Sequence, residues 1–437
     1  MMNVATQRVL RVATKKGGSG KLFSSVSTRL LDGTEEYPGL PNLTHTPKMA
    51  SQASISTLPN GLIVVSEDAC STSTVTMTYP NAGSASEYLG EEGAALINKC
   101  LAFRSGSGLS TALINRTIEN EGATPFAKAD RTSATFGYTV EPNNALGLIP
   151  LLATDCTFEK WDVRDAKKLA KFQIDEANKS VEVVLTEQIY AAAYGASSSM
   201  GRPMYSAAAS TGEVISFRNR GYGLNGVILT ATGIQDHAAF CTEVDSLLAE
   251  SPKSDTSPSP VASYLGGEAR LSAPSIGYAH VALAFEVKDP SPIRKILKHC
   301  FGQIGKESGL STFETGGMFG VYAFAPTEGV STLETAITET LTTKLTSEVI
   351  LKAKILAKAE ATFDLDCGSI GLATALTAAV METGTFTDAV TVAKLYDSIS
   401  DMDVINSAGL MLKSNPSLAV VGDISNVPYQ GTFASRF

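Results

Sequence analysis

The sequence predicts an α+β protein of two similar domains in tandem, and three observations lead there. Its 437 residues exceed the ~250–300 at which a single hydrophobic core stops growing. The run from Ser251 to Pro260 holds three prolines, four serines and no large apolar side chain, so it cannot pack and reads as an interdomain linker. On either side of it the same order of patterns recurs: two strands, a helix, a strand, helices and a closing strand. Such a recurrence points to a duplicated unit. The expected division is a leader over residues 1–36, a first domain over 50–249, a linker over 250–261 and a second domain over 262–437. No clear residue-level likeness between the halves accompanies the shared order.

In the first half, Leu62-Ile63-Val64-Val65 follows the turn Pro59-Asn60-Gly61 and reads as a strand. Val and Met alternate with Thr over 74–79, predicting a second strand that Pro80-Asn81-Ala82-Gly83 stops. Leu96, Ile97, Cys100 and Leu101 share one face of a helix expected over 93–103. A helix is expected over 109–121, strands over 124–127 and 133–140, and helices over 145–154, 164–178 and 181–194. A strand over 227–232 and a helix over 237–249 close the half. Beyond the linker, strands are expected over 269–271, 281–285 and 319–325, with a helix over 292–301 before the last of these. Helices over 332–341, 347–361 and 370–380 and a strand over 418–421 complete the chain.

Composition removes several classes of function. A hydrophobic share of 43 % with 18 % charged residues describes a folded chain, not a disordered one. The net charge of −9 is spread along the sequence and leaves no basic stripe for nucleic acid. Six cysteines, Cys70, Cys100, Cys156, Cys241, Cys300 and Cys367, are scattered without a Cys-x-x-Cys pair, which fits buried thiols in a reducing compartment. No run reaches the ~20 apolar residues of a membrane span, so attachment to a membrane is expected only through partners.

The first 31 residues contain no Asp or Glu but carry Arg8, Arg11, Lys15, Lys16, Lys21 and Arg29 among Ser, Thr and Ala, the composition of a mitochondrial presequence. Gly17-Gly18-Ser19-Gly20-Lys21 hints at a phosphate loop, but no strand precedes it and Leu22 stands where a magnesium-binding hydroxyl is needed.

The second half carries a family resemblance. Gly266-Gly267-Glu268-Ala269-Arg270, then His280 through Glu286, then Gly317-Met318-Phe319-Gly320-Val321-Tyr322 and the run Pro416 through Asp423 resemble the second domain of pitrilysin/insulinase-type zinc peptidases of the mitochondrial processing peptidase group. In the first half Pro59-Asn60-Gly61, Gly83 through Glu87 and the run Ile189 through Arg202 fit the same family. The resemblance covers about 50–430 and implies two processing-peptidase-like domains, each a mainly antiparallel sheet covered by helices.

Peptidases of this group carry His-x-x-Glu-His on a helix. Histidines four apart lie on one face and grip one zinc, while the glutamate activates a bound water. Matched on Gly93-Ala94-Ala95 and Ala102-Phe103-Arg104, that motif falls on Leu96-Ile97-Asn98-Lys99-Cys100. Leucine cannot ligate, Lys99 sets a cation where the catalytic carboxylate belongs, and Cys100 alone makes no site. The family's third ligand falls on Gln173, with Glu176 one turn away. The degenerate positions are thus Leu96, Lys99, Cys100 and Gln173, and no catalytic, metal or cofactor residue is expected. The four histidines, His45, His237, His280 and His299, offer no replacement; His280 reads as structural, and His299 and Cys300 are adjacent and point apart. Gly195 through Gly201 lacks the spacing of a nucleophile elbow.

The resemblance therefore implies a non-catalytic member. One type is a core subunit of the mitochondrial ubiquinol–cytochrome c reductase complex, with a core protein 1-like paralogue and the other subunits of the complex as partners, on the matrix side of the inner membrane. A second is the α subunit of the processing peptidase, which has a long Gly-rich loop. That loop should fall within 302–317, which is short and has no dense glycine cluster. A zinc-free scaffold that holds peptide is a third reading.

Overall fold

The computed structural model describes residues 53–104, 109–153, 158–249, 251, 262–386 and 388–437. The expected leader over 1–36, His45, Cys156 and nearly all of the expected linker lie outside the described residues.

The first half opens with β1 (Ala53–Thr57), β2 (Ile63–Glu67) and β3 (Ser73–Tyr79). Gly61, at φ 86°, turns the chain between β1 and β2, and the Asn60 side chain accepts the Leu62 N–H at 3.0 Å. Helices α1 (Ala94–Cys100) and α2 (Thr111–Asn120) lead to the hairpin β4 (Thr124–Ala129) and β5 (Ala134–Val140). Then come α3 (Ile149–Leu152), α4 (Lys160–Lys179), α5 (Val181–Tyr194), α6 (Thr211–Gly221), β6 (Ile228–Ala231) and α7 (His237–Leu247). The second half runs β7 (Gly267–Ser272), β8 (Ala279–Glu286), α8 (Ser291–Gly305), β9 (Ser311–Thr315) and β10 (Met318–Ala325). It continues through α9 (Val330–Thr342), α10 (Ser347–Asp366), α11 (Gly368–Thr383), α12 (Ala389–Ser398), α13 (Asp401–Leu412), β11 (Ser417–Gly422) and α14 (Gln430–Ala434).

Several elements differ from the sequence expectation. The helix expected over 145–154 shrinks to α3, because Pro142 starts a 3-10 turn and Pro150 can sit only in the first turn of the helix that follows. Helix α6 was not expected, although Ser210 and Glu213 form a reciprocal capping box; Ser400 and Asp403 do the same for the unexpected α13. Strands β1 and β9 are short and polar, and pairing to a neighbour is what makes them strands. Among the described residues no single helix is long and apolar enough to cross a membrane.

The strand order is β1-β2-β6-β3-β5-β4 in one sheet and β7-β11-β8-β10-β9 in the other. With β1 set aside the two orders match position for position, and so do the directions. β2 lies parallel to β6 as β7 does to β11, and every other neighbouring pair is antiparallel. The duplication reaches single residues. Phe126 on β4 faces Gly137 on β5, and Phe313 on β9 faces Gly320 on β10. A Cβ on Gly137 would lie 2.6 Å from the Phe126 ring, and one on Gly320 would run into the Phe313 ring. Each glycine is the gap over which a cross-strand phenylalanine lies.

One face of each sheet packs on helices of its own half. The other face is covered by a helix of the opposite half. Leu185, Ile189, Tyr190 and Ala193 of α5 pack on Ala282, Ala284, Met318, Ala419 and Val421 of the second sheet. Leu372, Leu376 and Val380 of α11 pack on Val65 and Ile228 of the first. The strands between are apolar on both faces for this reason: Val64 and Leu229 point to the inner core, Val65 and Ile228 to α11. At ~1.5–3 kcal/mol for each large side chain fully buried, this exchange is a major term holding the halves together. Hydroxyl contacts fix its register: Tyr190 Oη lies 2.8 Å from Thr315 Oγ1, and Thr230 Oγ1 lies 2.8 Å from Thr377 Oγ1.

Candidate functional site

Helix α1 carries three of the four singled-out positions and α4 the fourth. The entry to α1 is built with care. Gly93 has φ 87°, and a side chain there would strike the backbone of Ser206. The Glu87 carboxylate closes the helix N-terminus, accepting from Gly93 N–H at 3.0 Å and Ala95 N–H at 2.8 Å. Burial nevertheless pushes Glu87 up to about 7, against the pull of those two donors and of Arg202. The loop ahead of the helix is clamped by Arg220, whose two nitrogens reach the Glu91 carboxylate at 3.0 and 2.6 Å while its guanidinium lies 3.8 Å over the Tyr88 ring. Asn98, fully buried, donates to Ala94 O at 2.9 Å and to Val214 O on α6 at 3.3 Å, which fixes the rotation of α1.

That rotation sends Leu96 and Cys100 into the hydrophobic core. Burial raises the Cys100 thiol, against the pull of Lys99 and Arg104, so it is a poor thiolate and a poor ligand. Lys99 is half-buried, and its Nζ donates to Gln173 Oε1 at 3.1 Å. The structure thus brings together the two positions singled out on α1 and α4, as an ammonium and a neutral amide. Glu176 is turned away and pairs with Lys179 on the surface.

The chemistry of this set does not fit zinc. Leu96 has no donor atom, Lys99 is a cation, Cys100 is buried in the core and Gln173 is engaged by Lys99. Among the described residues no group of three or more His, Cys, Asp and Glu side chains could hold a metal ion.

The three described histidines make contacts within the fold. His280 Nδ1 lies 2.9 Å from Tyr322 Oη, its ring lies near-parallel beside those of Tyr322 and Phe324, and burial lowers its proton affinity. His299 bonds Glu360 at 2.6 Å; that contact, against burial and with Lys298, holds the Glu360 carboxyl down at about 2. His237 on α7 ties in β1, with Ser56 Oγ at 2.8 Å and Ser66 Oγ at 2.7 Å.

Two supporting groups escaped the sequence reading. One is Glu87, which lies in a stretch noted only for its resemblance. The other is Arg131, which donates to Glu187 of α5 at 2.7 Å and to Met200 O and Arg202 O at 2.9 and 2.7 Å, with its guanidinium 4.0 Å over Tyr190. Their partners lie more than fifty residues away or on the far side of a loop, so no local spacing reveals them. A cleft of about 690 Å³ opens beside this network, bordered by Glu87, Tyr88, Tyr194, Arg202 and Leu265.

Comparison with known proteins places this geometry. Residues 63–206 match the insulinase family, peptidase family M16. The chain is 24 % identical to the mitochondrial-processing peptidase subunit alpha of Solanum tuberosum over 98 % of this chain and 94 % of that protein. It is 25 % identical to subunit alpha-2 of the same peptidase from Dictyostelium discoideum, over 85 % and 92 % respectively. A chain of complex III2 from Candida albicans, solved with Inz-5 bound, shares the fold at a TM-score of 0.75 and 18 % identity, over 88 % of this chain and 99 % of that one.

Proposed function

We propose that this M16-like chain is a non-catalytic structural and assembly subunit of the mitochondrial ubiquinol–cytochrome c reductase complex, in the role of core protein 2. The observation that carries the non-catalytic reading is the Lys99–Gln173 hydrogen bond, a cation and an amide where the family's glutamates would stand. Asn98 and Glu87 hold α1 with Leu96 and Cys100 turned into the core, so the helix serves packing.

The choice among non-catalytic roles rests on the segment after α8. There the chain needs only a tight turn closed by Gly309 before β9 begins at Ser311, and Gly316-Gly317 turns directly into β10. A processing-peptidase α subunit would carry its long Gly-rich loop here. The names of the relatives favour that α-subunit role as the second reading, and the cleft beside Arg202 is the place where a peptide-holding scaffold would work.

In the favoured reading a presequence within 1–36 is removed on import, the mature chain starts between residues 23 and 37, and it sits on the matrix side of the inner membrane against a core protein 1-like paralogue. Obligate interfaces of that kind bury roughly 2,000 Å² or more. Depleting the protein should lower assembled complex and ubiquinol oxidation while presequence cleavage continues. Intact respiratory complex with uncut precursors accumulating would give the role to the α subunit instead.

A further inference from the structure

Helix α4 presents an outer face that neither half covers. Its sequence sets two ridges side by side at the i, i+4, i+7, i+11 spacing of neighbouring helical rows. One ridge is Lys160, Arg164, Lys167 and Lys171; the other is Trp161, Asp165, Lys168 and Phe172, with Leu169 beyond it. Trp161 is 57 % exposed, Phe172 62 % and Leu169 40 %. Asp165 is engaged by Lys168 at 3.0 Å and by Arg164 at 3.7 Å. Lys160, Lys167 and Lys171 form no ion pair among the described residues. Asp175 and Glu176 are exposed only in the last turns of the helix, where Glu176 pairs with Lys179, so the stretch from Lys160 to Phe172 is cationic on a chain whose net charge is −9.

The other long helix with exposed apolar residues is different. On α10, Leu351, Ile355 and Phe363 are exposed, but Lys352, Lys354 and Lys358 are each paired, with Glu348, Asp401 and Asp397. That face is electrically neutral, as a protein contact tends to be at its centre. On α4 the aromatic and aliphatic side chains stand beside Lys160, Lys167 and Lys171, which form no ion pair among the described residues, on the convex side of a single helix. A convex row offers no groove to a peptide, but it lies flat on a plane. Trp and Phe can enter the headgroup boundary while Lys and Arg reach the phosphates.

We infer that the α4 face is a docking surface for an anionic lipid bilayer, made by Trp161, Leu169 and Phe172 with Lys160, Arg164 and Lys171. It adds a direct lipid contact to attachment through protein partners, and it does not depend on which M16-like role the chain performs.

Trp161 is the single tryptophan of the chain, so the site reports on itself. The full chain is titrated with vesicles of phosphatidylcholine alone and of phosphatidylcholine mixed with phosphatidylglycerol. The expected result is a blue shift of Trp161 emission with the anionic vesicles only, weakening as salt is added. The K160E/R164E/K171E variant should lower the partition coefficient at least about tenfold. L169S/F172S should reduce both the partition coefficient and the shift at low salt. All five substituted side chains are exposed, and circular dichroism checks that each variant stays folded. Capture by anionic vesicles with no change in Trp161 emission would assign binding to another part of the chain, such as the basic first 31 residues, and overturn the inference. Equal binding to both vesicle types, unchanged binding by the charge-reversal variant, or a shift caused only by soluble acidic polypeptide would overturn it as well.

Discussion

Replacing Leu376 by Ala tests whether the exchanged helices bind the two halves into one cooperative structure. Leu376 lies on α11 in the second half, is fully buried, and packs in the cluster that includes Val65 of β2 and Ile228 of β6 in the first. Truncating a buried leucine costs about 2–5 kcal/mol, from lost transfer energy and the cavity left behind. For a cooperative unit of this size the melting entropy is large, so the melting temperature should fall by only roughly 2–6 °C. Amide hydrogen exchange gives the sharper reading. The substitution sits in one half, yet the amides of β2 and β6 in the other half should lose protection along with those of α11. If α11 alone exchanges faster while β2 and β6 keep their protection, the argument that each sheet depends on a helix from the opposite half fails.

Glu87 should make stability depend on pH. Its folded value of about 7 lies above the ordinary 4.5, so the native state holds more protons than the unfolded chain between those values. Stability should therefore fall as pH rises through that window, by roughly 3 kcal/mol in total, and level off above it. Urea denaturation across the window checks this; Glu87→Gln should flatten the profile, and an unchanged profile would assign the dependence elsewhere. Protease should cut first within 250–261, yet the two pieces should co-elute in native gel filtration and part only in denaturant, because α5 and α11 remain exchanged. Separation in native buffer would show that the halves stand alone. The purified chain should carry no stoichiometric zinc; one zinc per chain, lost on Cys100→Ser, would refute the reading of α1 as a degenerate motif.

The sequence by itself determined the α+β class, the repeated element order and most strands and helices, α5 to the residue, because apolar spacing and turn residues act within a few positions of the chain. It singled out Leu96, Lys99, Cys100 and Gln173 through a resemblance, and the identities of those side chains are what the proposed non-catalytic role starts from. Tertiary structure alone decided the rest. That Lys99 meets Gln173, and that Glu87 caps α1 from a buried position, depends on residues joined by the fold and not by spacing. The strands β1 and β9 exist because a partner supplies their hydrogen bonds. The likeness of the halves, hidden in the residue strings, lies in the strand order and in the pairs Phe126–Gly137 and Phe313–Gly320. Periodicity shows that β8 and β11 are apolar on both faces, but it cannot say what covers the second face. Only packing assigns it to a helix from the other half, since burial is non-directional and any apolar stripe of the right shape will serve.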